Sequence, residues 1–323
     1  MKPNITVACG DVNGIGLRCF AEACTHTAFN ASIELMIDGS TLEAAIVAYE
    51  LPGMFRNSVW ELAANSVHII PVGAPSDVHP GVVRDDASRG AIASLEACIE
   101  LICNGKCNAL VTLPINKYAL SQVGWPYAGQ TEMVAASAQG TPLMVLCTRN
   151  IRVALATVHV ALSKVAETLT VGRITECIAA LKHHLVVDLG VIDPQIAVLA
   201  VDPHAGEHGV IGTIDTDIVA PAITLARANE LNVQGPFPAD GFFAFGAYKK
   251  YDGIVAMYHD QGLIPLKLLA QGAGVNVTAG LSVVRTSPDH GTAYDIATQG
   301  DVDPASTIEA IKVAISIARN RAH

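Results

Sequence analysis

Aromatic side chains are scarce in this sequence, at 5% of its 323 residues, and charged ones reach only 15%. With few rings available, Val, Ile, Leu and Ala must build the interior, a mixture that suits buried parallel strands covered by helices. Low charge beside a hydrophobic content of 51% excludes a disordered chain. Positive charge is the shorter supply: 20 Lys and Arg face 30 Asp and Glu, a formal net charge of −10. A phosphate backbone repels such a chain, which sets nucleic-acid binding aside. A small anion remains admissible where a few basic residues converge. Long apolar runs are missing too. The most apolar stretch, Pro142 to Leu162, is broken by Arg149, Asn150, Arg152 and His159, and no run reaches the roughly 18 residues of a membrane span. Between Lys2 and Asp11 the only apolar run is Ile5 to Cys9, too short for the core of a signal peptide. The expectation is a cytoplasmic protein. The eight cysteines include no C-x-x-C pair, so they read as reduced and mostly buried.

At roughly 100–200 residues per domain, the length allows two domains or one large α/β unit. Short apolar runs predict strands at Ile5–Cys9, Ile33–Ile37, Val67–Val72, Leu110–Leu113, Leu143–Cys147, Val153–Thr157, Ile196–Val201 and Ile254–Met257. Helical periodicity lies between them, for example over Ser88–Cys103, Ile174–His184, Ile218–Glu230 and Thr307–Asn320. This alternation predicts a doubly wound α/β protein. No repeat, low-complexity tract or Pro/Gly-rich linker interrupts it, so two domains would be interleaved rather than tethered. The second half carries unusual loops: DPHAGEHG, GPFPADG, YHDQG and RTSPDHG. Most of them follow a predicted strand, the place where open α/β sheets bind ligands.

His159, His204 and His259 each stand just past a predicted strand. They are too far apart for a local motif such as H-E-x-x-H; their shared placement is the signal. Three neutral imidazoles could hold a divalent ion and leave a position open for substrate. Three unrelated loop histidines are the other reading. Lys267 and Arg285, with Asn276 between them, could grip phosphate or carboxylate, or the two cations could lie on the surface. GDVNGIG, at 10–16, has glycines at the wrong spacing for a G-x-G-x-x-G loop, and reads equally as a close-packed turn. HGTAYDIA, at 290–297, has the small residues that would let a flat ring lie against backbone.

In combination the motifs are specific. LPINK (113–117), DPHAGEHG (202–209), GPFPAD (235–240), AMYHDQGLIPLK (256–267), GVNVTAGL (274–281) and RTSPDHGTAYDIA (285–297) occur in order over nearly the whole chain. The sequence closely resembles the 4-hydroxythreonine-4-phosphate dehydrogenase family of vitamin B6 biosynthesis. The resemblance implies a two-domain α/β fold like that of isocitrate and isopropylmalate dehydrogenases, with doubly wound sheets and an interdomain active-site cleft. The domains are expected at 1–125 plus 296–323 and at 126–295. It implies a homodimer with a metal site shared across the interface, its ligands matching His159, His204 and His259, and one divalent ion, whether Zn, Mg, Co or Mn. Substrate contacts match Gln130, Thr131, Lys267, Asn276 and Arg285. Lys267, Asp240 and Asp260 are the expected catalytic set, the two aspartates as carboxylates that orient a histidine. His290, Gly291, Ala293 and Asp295 are assigned to NAD or NADP.

The chain departs from the family pattern at several positions. Gln130 stands where the family has a histidine, in GQTE instead of GHTE. Arg18 replaces an acid, Ile214 a glutamate, Ser282 a proline, and Thr298-Gln299 a Gly-Lys pair. The resemblance implies metal-assisted oxidation of a phosphorylated hydroxy acid with loss of carbon dioxide. Alternatives are a dehydrogenase of threonate or erythronate 4-phosphate or of a dihydrodiol carboxylate, and, from another class, a phosphate-handling acyltransferase of similar fold.

Overall fold

The computed structural model describes residues 2–322. Thirteen strands occur in chain order: β1 (Asn4–Ala8), β2 (Ser32–Met36), β3 (Met54–Arg56), β4 (Val59–Glu61), β5 (Ser66–Ile70), β6 (Ala109–Thr112), β7 (Gly140–Cys147), β8 (Arg152–Leu155), β9 (Ile196–Leu199), β10 (Val233–Phe237), β11 (Gly253–Ala256), β12 (Val275–Leu281) and β13 (Arg285–Pro288). The chain divides into two compact units: one runs to Gly140 and resumes at Leu281, and the other spans Thr141–Gly280. The boundaries fall at the first residue of β7 and the last residue of β12. Gln130, Thr131 and Arg285 therefore belong to the first unit. Arg285 does so because β13 pairs with β6 and β6 with β1.

In the first unit the strand order is β13-β6-β1-β2-β5-β4-β3. The first five are parallel, and β4 and β3 add an antiparallel edge. Side chains alternate faces along a strand, and the register identifies which helix covers which face. Thr286, Val111 and Val7 are paired neighbours, and the Thr286 hydroxyl donates to Ala310 of the helix Ala305–Arg321. Thr6, one residue along from Val7, instead meets Cys98 of the helix Asp85–Cys103. The two helices cover opposite faces, so the sheet is doubly wound. The helix Asp85–Cys103 begins with two acids where its dipole favours them, and buries Ala87, Ala91, Leu95, Cys98 and Ile102 at helical spacing.

The second unit has the order β10-β9-β11-β8-β7-β12. β10, β9, β11 and β8 are parallel, and β7 runs antiparallel to β8. Every residue of β9 and β11 is buried, as expected for strands covered on both sides. A Cβ on Gly253 would strike Leu181 and Leu185, whereas a Cβ on Gly262 would strike Val153 and Ala256. Gly253 and Ala256 are an odd number of residues apart on β11, so the helices Val171–His183 and His259–Ala270 lie on opposite faces here also.

The eight expected strands and four expected helices all have counterparts. Three readings need correction. RTSP is strand β13, not a loop, because a buried parallel neighbour, β6, supplies its pairing. YHDQG is not a free loop: His259 opens a helix that continues through Pro265 to Ala270, held by burial of Gly262, Leu263 and Leu266. The third concerns strand ends: those expected at Val67–Val72, Val153–Thr157 and Ile196–Val201 each stop two residues early, at Ile70, Leu155 and Leu199. All cysteines are free, and only Cys103 is exposed. Among the described residues, no helix is long and apolar enough to cross a membrane.

Candidate active site

β9, β11 and β8 are adjacent and parallel, so the segments leaving their carboxyl ends are neighbours. These segments carry His204, His259 and His159. Side chains tie the strand exits together. The Thr157 hydroxyl donates to the Met257 carbonyl at 2.7 Å. Gln261 accepts from the Met257 amide at 2.7 Å and donates to the Ala200 carbonyl at 2.6 Å. Thr157 and Gln261 were not singled out in the sequence, although Gln261 sits inside YHDQG.

The rings of His159 and His259 lie with centroids 6.1 Å apart. A ligating imidazole places its centroid about 3.2 Å from the ion, so two rings at a tetrahedral angle on one ion have centroids roughly 5 Å apart; the observed pair stands about 1 Å wider. His259 Nδ1 is bonded to the Asp260 carboxylate at 2.7 Å. That leaves Nε2 for a ligand, the arrangement in which a carboxylate fixes the tautomer of a metal-binding histidine. The two histidines line an open pocket of about 440 Å³ with Tyr258 and Asp260, walled on one side by Val158, Val160, Ala161, Leu162 and Val165. Among the described residues of a single chain, no three His, Cys, Asp or Glu side chains converge on an ion-sized site.

His204 is presented differently. Residues His204 to His208 all adopt left-handed backbone. Only Gly206 among them does so freely; for the others this costs about 1–2 kcal/mol per residue. The turn is anchored at its base, where the Asp215 carboxylate accepts from the amides of Val201 and Asp202 at 2.8 and 2.9 Å. Burial raises the pKa of Asp215. Gly206 and Gly212 close the turn, since a Cβ on Gly206 would lie 2.5 Å from the Gly212 carbonyl and one on Gly212 2.1 Å from the Asp202 carboxylate. Asp240 is exposed in the first turn of the helix Ala239–Ala244. Lys267 is exposed in the last turn of the helix His259–Ala270, and Asn276 is half-buried in β12.

Arg285 occupies a contrasting environment in the first unit. The residue is 3% exposed, which rules out the surface reading. Its register partner is Leu110, so its side chain runs toward the carboxyl end of β6. There Nε and Nη2 donate to the Thr112 hydroxyl at 3.1 and 2.6 Å, Nη1 to the Thr131 hydroxyl at 3.2 Å, and Nη2 to Gln130 Oε1 at 3.1 Å. Burial pulls its pKa down to about 10, against the opposing charge of Glu132; the guanidinium stays charged at neutral pH. Gln130, the first residue of the helix Gln130–Ser137, also donates to the Leu113 carbonyl at 3.0 Å. Thr112 is a partner of Arg285 that the sequence did not mark, since nothing in LVTLPINK singles it out.

The segment 290–297 packs on the glycine-rich first loop of the same unit. Ile15 donates to the Thr292 carbonyl at 2.9 Å, and the Tyr294 hydroxyl bonds the buried Asp11 carboxylate. A Cβ on Gly14 would lie 2.7 Å from the Thr292 carbonyl, so this glycine serves close packing. Burial raises the pKa of Asp11. Gly291 is exposed with open space where a side chain would be, Ala293 is half-buried with left-handed backbone, and Asp295 is exposed. His290 Nε2 is buried with no hydrogen-bond partner, an orphaned polar atom that fits a heteroaromatic ligand such as a nicotinamide dinucleotide.

The sequence profile of the family described as pyridoxal phosphate biosynthetic protein PdxA matches residues 22–314. The chain belongs to that family. It is 38% identical to a 4-hydroxythreonine-4-phosphate dehydrogenase of Prosthecochloris aestuarii, with 97% of this chain and 96% of the relative covered. It is 37% identical to a D-threonate 4-phosphate dehydrogenase of Salmonella typhimurium, with 97% and 98% covered. The crystal structure of a 4-hydroxythreonine-4-phosphate dehydrogenase from Klebsiella pneumoniae matches it at a TM-score of 0.86 and 36% identity, over 98% of each chain. Two departures from the usual PdxA pattern have local structural reasons. Arg18 donates to the carbonyls of Ala297, Gln299 and Gly300 at 3.0, 3.5 and 2.6 Å, holding the altered Thr298-Gln299 segment without an ion pair. The Ser282 amide donates to the Gln139 carbonyl at 2.7 Å, which the usual proline could not do.

Proposed function

We propose that this chain is a cytoplasmic, NAD(P)-dependent dehydrogenase that oxidises 4-hydroxythreonine-4-phosphate. The product, 2-amino-3-oxo-4-phosphooxybutanoate, is a β-keto acid and loses carbon dioxide to give 3-amino-2-oxopropyl phosphate. The observation that carries this reading is the placement of His159, His204 and His259 at the exits of three adjacent parallel strands, with Asp260 fixing His259. Phosphorylated-acid dehydrogenases among the relatives support it.

His159, His204 and His259 would hold one divalent ion, Zn, Mg, Co or Mn, which would supply Lewis acidity at the substrate oxygen. Asp260 keeps the His259 ring in one tautomer, and Asp240 is assigned a similar orienting role. Lys267, Asn276 and Arg285 hold the phosphate or carboxylate, which places the reacting carbon. His290, Gly291, Ala293 and Asp295 would hold the nicotinamide cofactor, which would supply the hydride acceptor. The working form would be a homodimer whose metal site draws on both subunits. Ile264 and Leu268, 59% and 74% exposed one turn apart on the helix His259–Ala270, support an apolar subunit contact.

The relative named for D-threonate 4-phosphate is as similar as those named for the amino acid, so oxidation of a threonate or erythronate 4-phosphate is the second reading. Nicotinamide absorbance on purified protein, with 4-hydroxythreonine-4-phosphate and D-threonate 4-phosphate compared at equal concentration, separates them. Reduction with the first substrate is expected. Reduction with the second alone would overturn the choice.

A further inference from the structure

Gln130 is 7% exposed, and both ends of its amide are engaged with protein. Nε2 is held by the Leu113 carbonyl, and Oε1 receives Nη2 of Arg285. The amide is a strut between the backbone after β6 and the guanidinium. Such a strut needs a donor and an acceptor on one short head group. A carboxylate lacks the donor. A neutral imidazole has one of each, but an imidazolium has two donors and would aim an N–H and a positive charge at Arg285.

We propose that Gln130 is a positioning residue that acts on the anionic end of the substrate through Arg285, and that its non-titrating amide keeps this grip independent of pH near neutrality. The proposal rests on the reading that Arg285 holds that anionic end. The charged groups around the strut are Arg285 itself on β13, Glu132 two residues along the same helix, and Lys117, whose Nζ would lie 3.5 Å from a Cβ on Gly129. The β6 side presents Thr112, which does not titrate. Replacement of Gln130 by histidine therefore adds one new titration beside a fixed cation, and comparison with wild type isolates it.

The test uses Gln130→Ala, Gln130→His, Arg285→Lys and the Gln130→Ala/Arg285→Lys double variant, with KM and kcat for 4-hydroxythreonine-4-phosphate measured from pH 5.5 to 8.5. Gln130→Met, which keeps the length, substitutes for Gln130→Ala should the latter not fold. Gln130→Ala is expected to raise KM about tenfold, the scale of one hydrogen bond to a charged group, with kcat within about twofold. The double variant is expected to be no worse than Arg285→Lys by more than about twofold, because coupled residues are not additive. Gln130→His should match wild type at pH 8.5 and gain a KM that climbs only toward the acid end of the range, below the ordinary imidazole value of about 6.5, because Arg285 and burial depress this ring's pKa. Multiplying effects in the double variant, the mark of an independent substrate contact, would overturn the proposal, as would a Gln130→His profile parallel to wild type.

A wild type that does not use this substrate counts against the proposed function, and melting curves without substrate then decide the present point. Arg285 and burial lower the imidazole pKa in the folded Gln130→His protein, so its stability relative to wild type is lost as pH falls below about 6.5. The expected fall in its melting temperature relative to wild type is about 2–4 °C by pH 5.5. Parallel melting curves over this range would overturn the coupling.

Discussion

The two chemically promising regions of this protein are built in opposite ways. The histidines stand on bends and at a helix start, are exposed or half-buried, and in the case of His204 ride on a left-handed turn. Arg285 is buried before any ligand arrives, its guanidinium already gripped by Thr112, Thr131 and Gln130. The first region needs something added to organise it; the second is preorganised. Divalent ions suit the first design, because ligation energy can offset the left-handed backbone. Anion recognition suits the second, because a fixed guanidinium loses little freedom on binding.

The contrast can be broken from either side. The largest effect is expected on the histidine side. His159→Ala should lower turnover by more than about 100-fold, exceeding the upper range for outer-shell partners of a metal, and should lower bound metal measured by elemental analysis. Retained metal and turnover would remove His159 from the ligand set. Arg285→Ala should weaken substrate by about 2–5 kcal/mol, the scale for truncating one member of a desolvated charged pair, without changing metal content; steady-state kinetics on the metal-loaded variant would reveal either failure. Asp260→Asn should reduce metal affinity about 10–100-fold, read by competition with a chelator, while substrate binding at Arg285 is unaltered. The smallest effect is expected far from both. The Arg84 guanidinium pulls the Asp86 carboxyl down to about 2. A lowered folded-state pKa contributes stability that is present above the unfolded value, about 3.9, and lost as pH falls through about 2. Asp86→Asn should thus depress the melting temperature slightly at pH 7, with the gap closing near pH 2. An undiminished gap in acid would show that this carboxylate acts by packing rather than charge.

Much of the fold behind this contrast was legible in the sequence, though the burial of Arg285 was not, since the sequence left a surface position open for it. Apolar runs such as Ile196–Val201 and amphipathic ones such as Ser88–Cys103 declare themselves because burial of parallel strands and helical spacing are local patterns. The placement of His159, His204 and His259 past strands was visible for the same reason. That the three strands are adjacent was not, since order in a sheet is a property of tertiary pairing. β13 was hidden because RTSP has no alternation and depends on β6. The β3–β4 hairpin turns at Asn57-Ser58, both with positive φ, and Asn-Ser is a weak signal for such a turn beside Asn-Gly. Pro265 obscured the helix from His259, as a proline in mid-helix reads as a break. The left-handed turn at His204 had no advance sign, because four of its five residues are not glycine. Gln130 stood out as a departure, but its partners, Leu113 and Arg285, could be found only in three dimensions.

On the proposed function, the dehydrogenase reaction depends on an ion at the histidines while the anion grip at Arg285 exists without it. The most direct measurement takes one purified sample through chelation and metal restoration. At each stage, cofactor reduction with 4-hydroxythreonine-4-phosphate and the binding of that substrate by calorimetry are recorded. Chelation should abolish reduction and weaken binding only in part, the remaining affinity should disappear in Arg285→Ala, and a divalent ion should restore turnover. Reduction at an undiminished rate in fully metal-free protein, or residual binding that Arg285→Ala leaves unchanged, would contradict the claim.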